Sequence, residues 1–144
     1  MASVNPYLNF EGNCEEAFNF YKSIFGGEFQ TIMRFKDAPP NSMPNDGSDG
    51  EWLLHVALPI GKGGSILMGS DRPKSYPGAK GDVFSVSVSA DSEAEARKIF
   101  EGLSTGGKIT MPFDKTFWGS LFGMSTDKYG IQWMVGYSLP QTQS

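Results

Sequence analysis

Hydrophobic and polar residues change rhythm several times along the chain, and each change predicts an element. Asn5 to Phe10 alternates, with Asn5, Tyr7 and Asn9 on one face of a strand and Pro6, Leu8 and Phe10 on the other. From Cys14 the rhythm becomes helical, and Cys14, Ala17, Phe18, Tyr21, Ile24 and Phe25 fall on one stripe. Asn13 and Glu16 form a capping-box-like start, and Gly26-Gly27 stops the helix. Glu28 to Lys36 reads as a second strand with Phe29, Thr31, Met33 and Phe35 on one face. Asp37 to Gly50 holds three prolines and no period, which predicts a long loop, either a lid or a surface excursion. Trp52 to Ile60 and Ser65 to Gly69 make a hairpin around Gly61-Lys62-Gly63-Gly64. Ser70 to Gly81, with Pro73, Pro77, Gly78 and Gly81, predicts a linker.

The opening pattern then recurs. Val83 to Ala90 alternates, with Phe84, Val86 and Val88 opposite Ser85, Ser87 and Ser89. Ser92 with Glu95 makes a capping box, and Ala96, Ile99, Phe100 and Leu103 form the apolar stripe of a helix that Gly106-Gly107 ends. Strands over 108–113, 117–124 and 131–137 follow, the last entered through the turn Asp127-Lys128-Tyr129-Gly130. The expectation is an α+β fold of two βαβββ units in one domain, unit one spanning 3–72 and unit two 82–139. One helix covers only one face of each mixed or antiparallel sheet. The polar character of Asn5, Tyr7, Asn9, Ser85 and Ser87 suggests a cupped, ligand-facing surface on the other, with the helices outside. A merely wetted face would look the same.

Composition narrows the function classes. The 144 residues include 12 Lys and Arg, spread out, and 16 Asp and Glu. A formal charge of −4 with no basic run argues against nucleic acid. No apolar stretch reaches membrane-spanning length and the N-terminus lacks a signal-peptide pattern, so a cytoplasmic protein is expected. The single Cys14 excludes an intrachain disulfide and a cysteine-based metal cluster. Eleven Phe, five Tyr and three Trp predict an aromatic core, an aromatic-lined cavity, or both.

Paired βαβββ units resemble the vicinal oxygen chelate superfamily, which includes glyoxalase I, bleomycin and fosfomycin resistance proteins and extradiol dioxygenases. Asn5-Pro6-Tyr7-Leu8-Asn9-Phe10, Glu15-Glu16-Ala17-Phe18-Asn19-Phe20-Tyr21, Phe25-Gly26-Gly27, Arg34-Phe35-Lys36-Asp37, His55-Val56-Ala57-Leu58, Leu67-Met68-Gly69-Ser70-Asp71 and Asp127-Lys128-Tyr129-Gly130-Ile131-Gln132-Trp133 are similar to its PhnB-like branch. So are Phe117-Trp118-Gly119 and Phe122-Gly123. Members of that branch often carry a 3-demethylubiquinone methyltransferase label, but the Gly-rich strand-to-helix turn of an adenosyl-cofactor site is missing here. The resemblance implies a divalent ion held by His and Glu from the first and last strands of each unit. Carried onto this sequence, those positions fall on Asn5, on Met68 or the adjacent Gly69, on Ser85 and on Met134, with Gln132 beside the last. None is a good transition-metal ligand, and one His in the chain precludes a two-His site within a protomer.

The expectation is therefore a protein without metal or other cofactor that binds a small molecule in an aromatic-lined cavity, as bleomycin-resistance relatives do. The alternative is a lyase-, isomerase- or dioxygenase-like enzyme, either metal-dependent with unconventional ligands or assisted by His55. Candidate ligand-contacting residues are Asn5, Tyr7, Asn9, His55, Met68, Ser85, Ser87, Trp118, Phe122, Gln132 and Met134. His55 reads either as a general base or as a hydrogen-bonded structural residue. Trp133 is expected to point toward the helix. Arg34 and Lys36 read as steering an anion or as a solvated face, and Cys14 as a helix-activated thiol or a small core residue. Exposed aromatics in the second half predict a homodimer.

Overall fold

The computed structural model describes residues 5–39, 47–61, 63–75, 84–116 and 119–138. The chain divides into two compact units, Met1–Lys80 and Gly81–Ser144. Unit one runs β1 (Tyr7–Phe10), α1 (Cys14–Phe25), β2 (Thr31–Arg34), a 3-10 turn (Phe35–Asp37), β3 (Leu53–Ile60) and β4 (Ser65–Asp71). Unit two runs β5 (Val86–Ser89), α2 (Glu93–Ser104), β6 (Lys108–Lys115), β7 (Ser120–Thr126) and β8 (Gln132–Ser138). The strand orders are β1-β4-β3-β2 and β5-β8-β7-β6. In each sheet the first strand lies parallel to the last, and the other pairs are antiparallel. The βαβββ unit thus occurs twice, an α+β fold with mixed sheets.

The helical stripes bury as their spacing demands, except at the end of α1, where Ile24 and Phe25 are half-buried. In α1, Cys14, Ala17, Phe18 and Tyr21 are fully buried, and in α2 Ala96, Ile99, Phe100 and Leu103 are buried. Phe18 and Tyr21 meet edge-on, with ring centroids 5.5 Å apart, and Phe10 meets Phe18 the same way at 6.2 Å. Each large side chain so removed from water stabilises the fold by about 1.5–3 kcal/mol. Gly69 of β4 makes the close approach of α1 feasible, because a Cβ there would lie 2.5 Å from the Phe18 ring. Gly123 of β7 does the same beneath Phe100, where a Cβ would lie 2.7 Å from that ring.

Those two glycines also fix which sheet face is which. Gly69 looks at α1, and its ladder partners Leu8 and Val56 share that face. Tyr7, Asn9, Met33, His55, Met68 and Ser70 therefore look the other way. Gly123 looks at α2 together with its partner Val135, so Met124, Met134 and Ser87 face away from it. Trp133 is 1% exposed on the helix side, as its alternation predicts. Its indole N–H donates to Asp127 at 2.8 Å.

Several local expectations fail for identifiable reasons. Asn13 makes no side-chain capping bond. The N-terminus of α1 is capped instead by Asp71 at the end of β4, whose Oδ1 accepts the N–H groups of Gly12 at 2.7 Å and Cys14 at 3.0 Å. Its Oδ2 accepts the N–H of Leu53 at 2.9 Å. The second strand stops at Arg34, not Lys36. There Asp37 accepts the Arg34 N–H at 3.0 Å, and Phe35 and Lys36 donate to the returning carbonyls of Trp52 and Gly50. Phe84 lies ahead of β5 and is 83% exposed, so it does not extend the apolar face of Val86 and Val88. Strand β4 runs on to Asp71, two residues past the expected end, because Arg72 N–H still reaches the Phe10 carbonyl at 2.7 Å.

Other expectations hold. Ser92 Oγ accepts the Glu95 N–H at 3.1 Å, while Glu95 Oε1 accepts the Asp91 N–H at 3.0 Å. Gly26 and Gly27 both take positive φ, 79° and 83°, the left-handed geometry that lets a helix end sharply. Of the loop expected as a lid or surface excursion, residues 40–46 lie outside the described residues. Among the described residues no helix is long and apolar enough to cross a membrane.

Candidate functional site

Unit one gathers polar side chains on the sheet face turned from α1. The ladder places Tyr7 opposite Met68, Met68 opposite Ala57, and Ala57 opposite Thr31. In the adjoining row Asn9 lies opposite Ser70, and His55 opposite Met33. Tyr7 and His55 meet across this face. The Tyr7 hydroxyl is 3.2 Å from His55 Nδ1, and the two rings stack with centroids 5.7 Å apart and planes 27° from parallel.

That contact constrains the chemistry of the imidazole. With Nδ1 tied to the phenol, the ring cannot rotate freely, and the tautomer decides which atom donates. If the phenol donates to Nδ1, Nε2 carries the ring proton and can donate to a ligand. If Nδ1–H donates to the phenol oxygen, Nε2 is the acceptor. Tyr7 remains 43% exposed, so the pair is accessible. His55 is half-buried.

Asn5 is placed differently from Tyr7 and Asn9. Its Oδ1 accepts the Ile66 N–H at 3.1 Å and continues the β1–β4 ladder by a side chain. One of that oxygen's two lone pairs is thereby engaged. The residue lying directly beside Met68 is Tyr7, and the one beside Met134 is Ser87. Ser85 precedes β5 and is exposed. Trp118 lies outside the described residues.

In unit two, Ser87, Phe122, Gln132 and Met134 share the face turned from α2, brought together by the pairs Ser87 with Met134, Met134 with Met124, and Gln132 with Thr126. Alternation alone missed Met33, Ser70 and Met111 as members of these faces. The period-2 rhythm contains Met33 and Ser70, but strand order is needed to see their neighbours; Met111 reaches its place opposite Met124 only through register shifts in β6 on either side of it.

The divalent ion that the resemblance implies does not fit these residues. The four carried-over positions offer an amide oxygen, a hydroxyl and two thioethers, none charged. Among the described residues no group of three or more His, Cys, Asp or Glu is placed to hold a metal ion. A divalent charge in a partly desolvated site would lack any compensating carboxylate.

The remaining ionisable candidates are engaged in ion pairs or buried. Arg34 makes a two-pronged contact with Glu15 of α1, 2.9 Å and 2.6 Å, and also donates to the Glu51 carbonyl at 2.9 Å. The Arg34 hydrogen bonds hold the Glu15 carboxyl below the usual carboxylate range. Lys36 pairs with Glu51 at 2.6 Å. Burial, and then the charges of Asp71 and Glu15, push the Cys14 thiol well above its ordinary range. This is the small core residue of the two readings, not an activated nucleophile.

Comparison with known proteins agrees with this architecture. Residues 3–135 match the family model for the glyoxalase/bleomycin resistance protein/dioxygenase superfamily. Protein YjdN of Escherichia coli strain K12 is 30% identical over 139 residues, covering 92% of each chain. Protein PA1353 of Pseudomonas aeruginosa has a structure that superposes with a TM-score of 0.86 at 37% identity, covering 97% of this chain and all of that one. A PhnB protein from Bacillus cereus superposes with a TM-score of 0.74 at 27% identity, over 96% of this chain and 100% of its own.

Proposed function

The chain belongs to the glyoxalase/bleomycin resistance protein/dioxygenase superfamily. From that premise we propose that it binds a small organic molecule without a divalent metal, with Tyr7 and His55 as the polar end of the site. The observation that carries this reading is the Tyr7–His55 contact at 3.2 Å on the face turned from α1. Two polar rings are held in a fixed mutual geometry there, flanked by the thioether of Met68 and the amide of Asn9. Such a surface orients a ligand by a few directed hydrogen bonds and fills the rest by adaptable apolar contact.

The same contact supports a second reading, a His55-assisted lyase or isomerase. Nε2 of His55 would exchange a proton with the substrate while Tyr7 fixes the ring through Nδ1. In this reading Tyr7→Phe lowers turnover by loosening the base, while substrate binding changes little.

The test is an NMR titration of isotope-labelled protein with a panel of planar aromatic acids and small hydroxy and keto acids, alongside elemental analysis. Binding should perturb Tyr7, Asn9, His55 and Met68 together, and His55→Ala should weaken it at least tenfold. Stoichiometric Zn, Ni, Mn or Fe retained through gel filtration would sink the metal-free reading, and ligand shifts confined to other surfaces would sink the assigned site. Homodimerisation belongs to the same proposal, supported by Ile109 of the edge strand β6, which is 51% exposed. Light scattering showing only a 15.7 kDa species at tens of micromolar would remove it.

A further inference from the structure

Methionines are distributed unevenly between the two sides of each sheet. All five in the described residues, Met33, Met68, Met111, Met124 and Met134, sit on the faces turned from the helices, and none belongs to the buried cores. The cores are filled by Leu, Val, Ile, Phe, Tyr and Trp, so methionine is not serving as a gap-filler there. Three of the five occupy a single row. Met111 of β6, lying between two register shifts of that strand, pairs with Met124 of β7, and Met124 pairs with Met134 of β8. In unit one the corresponding row, Tyr7, Met68, Ala57 and Thr31, carries one thioether only.

We propose that the row Met111–Met124–Met134 is a binding site for a soft monovalent cation, Cu(I) or its analogue Ag(I), coordinated by three thioether sulfurs. Neighbouring strands are about 4.8 Å apart. The unbranched methionine side chain has three rotatable bonds, so adjacent sulfurs can converge on one ion without backbone movement. Thioethers are soft ligands and select soft ions over Zn, Mn or Mg. A single positive charge on neutral ligands also avoids the uncompensated second charge that rules out a divalent ion. Entry is open, since Met111 is 42% exposed on the edge strand while Met124 and Met134 are half-buried. Cys14, another soft ligand, lies buried in α1 of unit one, its thiol held protonated by burial. The inference is independent of what Tyr7 and His55 bind.

The experiment is an Ag(I) nitrate titration in chloride-free buffer, followed through methyl-labelled methionine resonances, with Cu(I) added anaerobically against a chromophoric chelator. One equivalent of Ag(I) should shift the Met111, Met124 and Met134 methyls together and leave Met33 and Met68 in place. Met124→Leu conserves volume and should weaken binding at least tenfold. Met111→Leu, on the exposed edge, provides the same reading should Met124→Leu fold poorly by circular dichroism. Met68→Leu and Cys14→Ala should leave affinity unchanged. The proposal is overturned if binding disappears in Cys14→Ala and survives in Met124→Leu and Met111→Leu. It is equally overturned if no methyl resonance moves at one equivalent, or if all methionines shift gradually without saturation.

Discussion

The helices α1 and α2 are each 12 residues long, and each covers one four-stranded sheet of the same strand order. They begin by opposite means. The start of α2 is satisfied within five residues, Asp91 to Glu95, by a local exchange of hydrogen bonds. The start of α1 is satisfied by Asp71, separated by 59 and 57 residues from Gly12 and Cys14. One unit anchors its helix through neighbouring sequence and the other through tertiary structure. A repeated fold conserves the need for a cap, not the means of meeting it.

Breaking the long-range cap should have the largest effect. Asp71→Ala leaves three backbone donors, two of them in buried contacts, without their acceptor. Denaturant unfolding should show a loss of about 3 kcal/mol, since hydrogen bonds to a charged acceptor outweigh neutral ones. An unchanged unfolding midpoint would mean that water replaces the carboxylate. Next comes the approach of α1 to its sheet. Gly69→Ala forces a Cβ to 2.5 Å from the Phe18 ring and 3.0 Å from the Leu8 carbonyl, and should destabilise by about 2 kcal/mol.

The local cap is the smaller counterpart. Ser92→Ala removes one acceptor at an exposed helix start and should cost about 1 kcal/mol by the same unfolding measurement. Were Ser92→Ala to exceed Asp71→Ala, the contrast between the two helices would be reversed.

The smallest effect concerns pH. Arg34 depresses the folded-state pKa of Glu15, so the pair stabilises the fold above the unfolded carboxylate value, about 4.3, and that contribution fades as pH falls through the folded value. Glu15 is 45% exposed, and solvent screening limits the pair to about 0.5 kcal/mol. Melting temperature against pH should therefore show Glu15→Gln slightly less stable near neutrality and equal to the parent protein in acid. A gap that persists in acid would assign the loss to packing.

How much of this was legible in the sequence follows from the same distinction. The stripes Cys14–Ala17–Phe18–Tyr21 and Ala96–Ile99–Phe100–Leu103, the Ser92–Glu95 box and the two double glycines all express local periods or turns. Residues close in sequence suffice to reveal them. The Asp71 cap was not legible, because Asn13 offered a local side-chain cap that it does not make. The end of β2 was hidden in the same way, by a return of residues 50–52 that no pattern near Phe35 announces. The candidate site stands between these cases. Alternation put Tyr7 on a polar strand face and His55 on one face with Leu53, Ala57 and Pro59, but their contact depends on β4 lying between β1 and β3. The methionine row likewise needs the register of three strands before Met111, Met124 and Met134 become neighbours.

The Asp71 contacts also carry a consequence for the order of folding. A cap delivered from 57 residues away cannot assist helix nucleation until the intervening loop has closed, and loop closure is an entropic step that local structure does not remove. The Ser92 cap carries no such delay. Mutations at Ser92 should therefore slow folding more fully, per unit of stability lost, than mutations at Asp71, whose effect should fall chiefly on the unfolding rate. Chevron analysis of the two variants reads the difference directly. Two helices that look alike in the finished fold would then occupy different positions in time, one an early nucleus and the other a late seal.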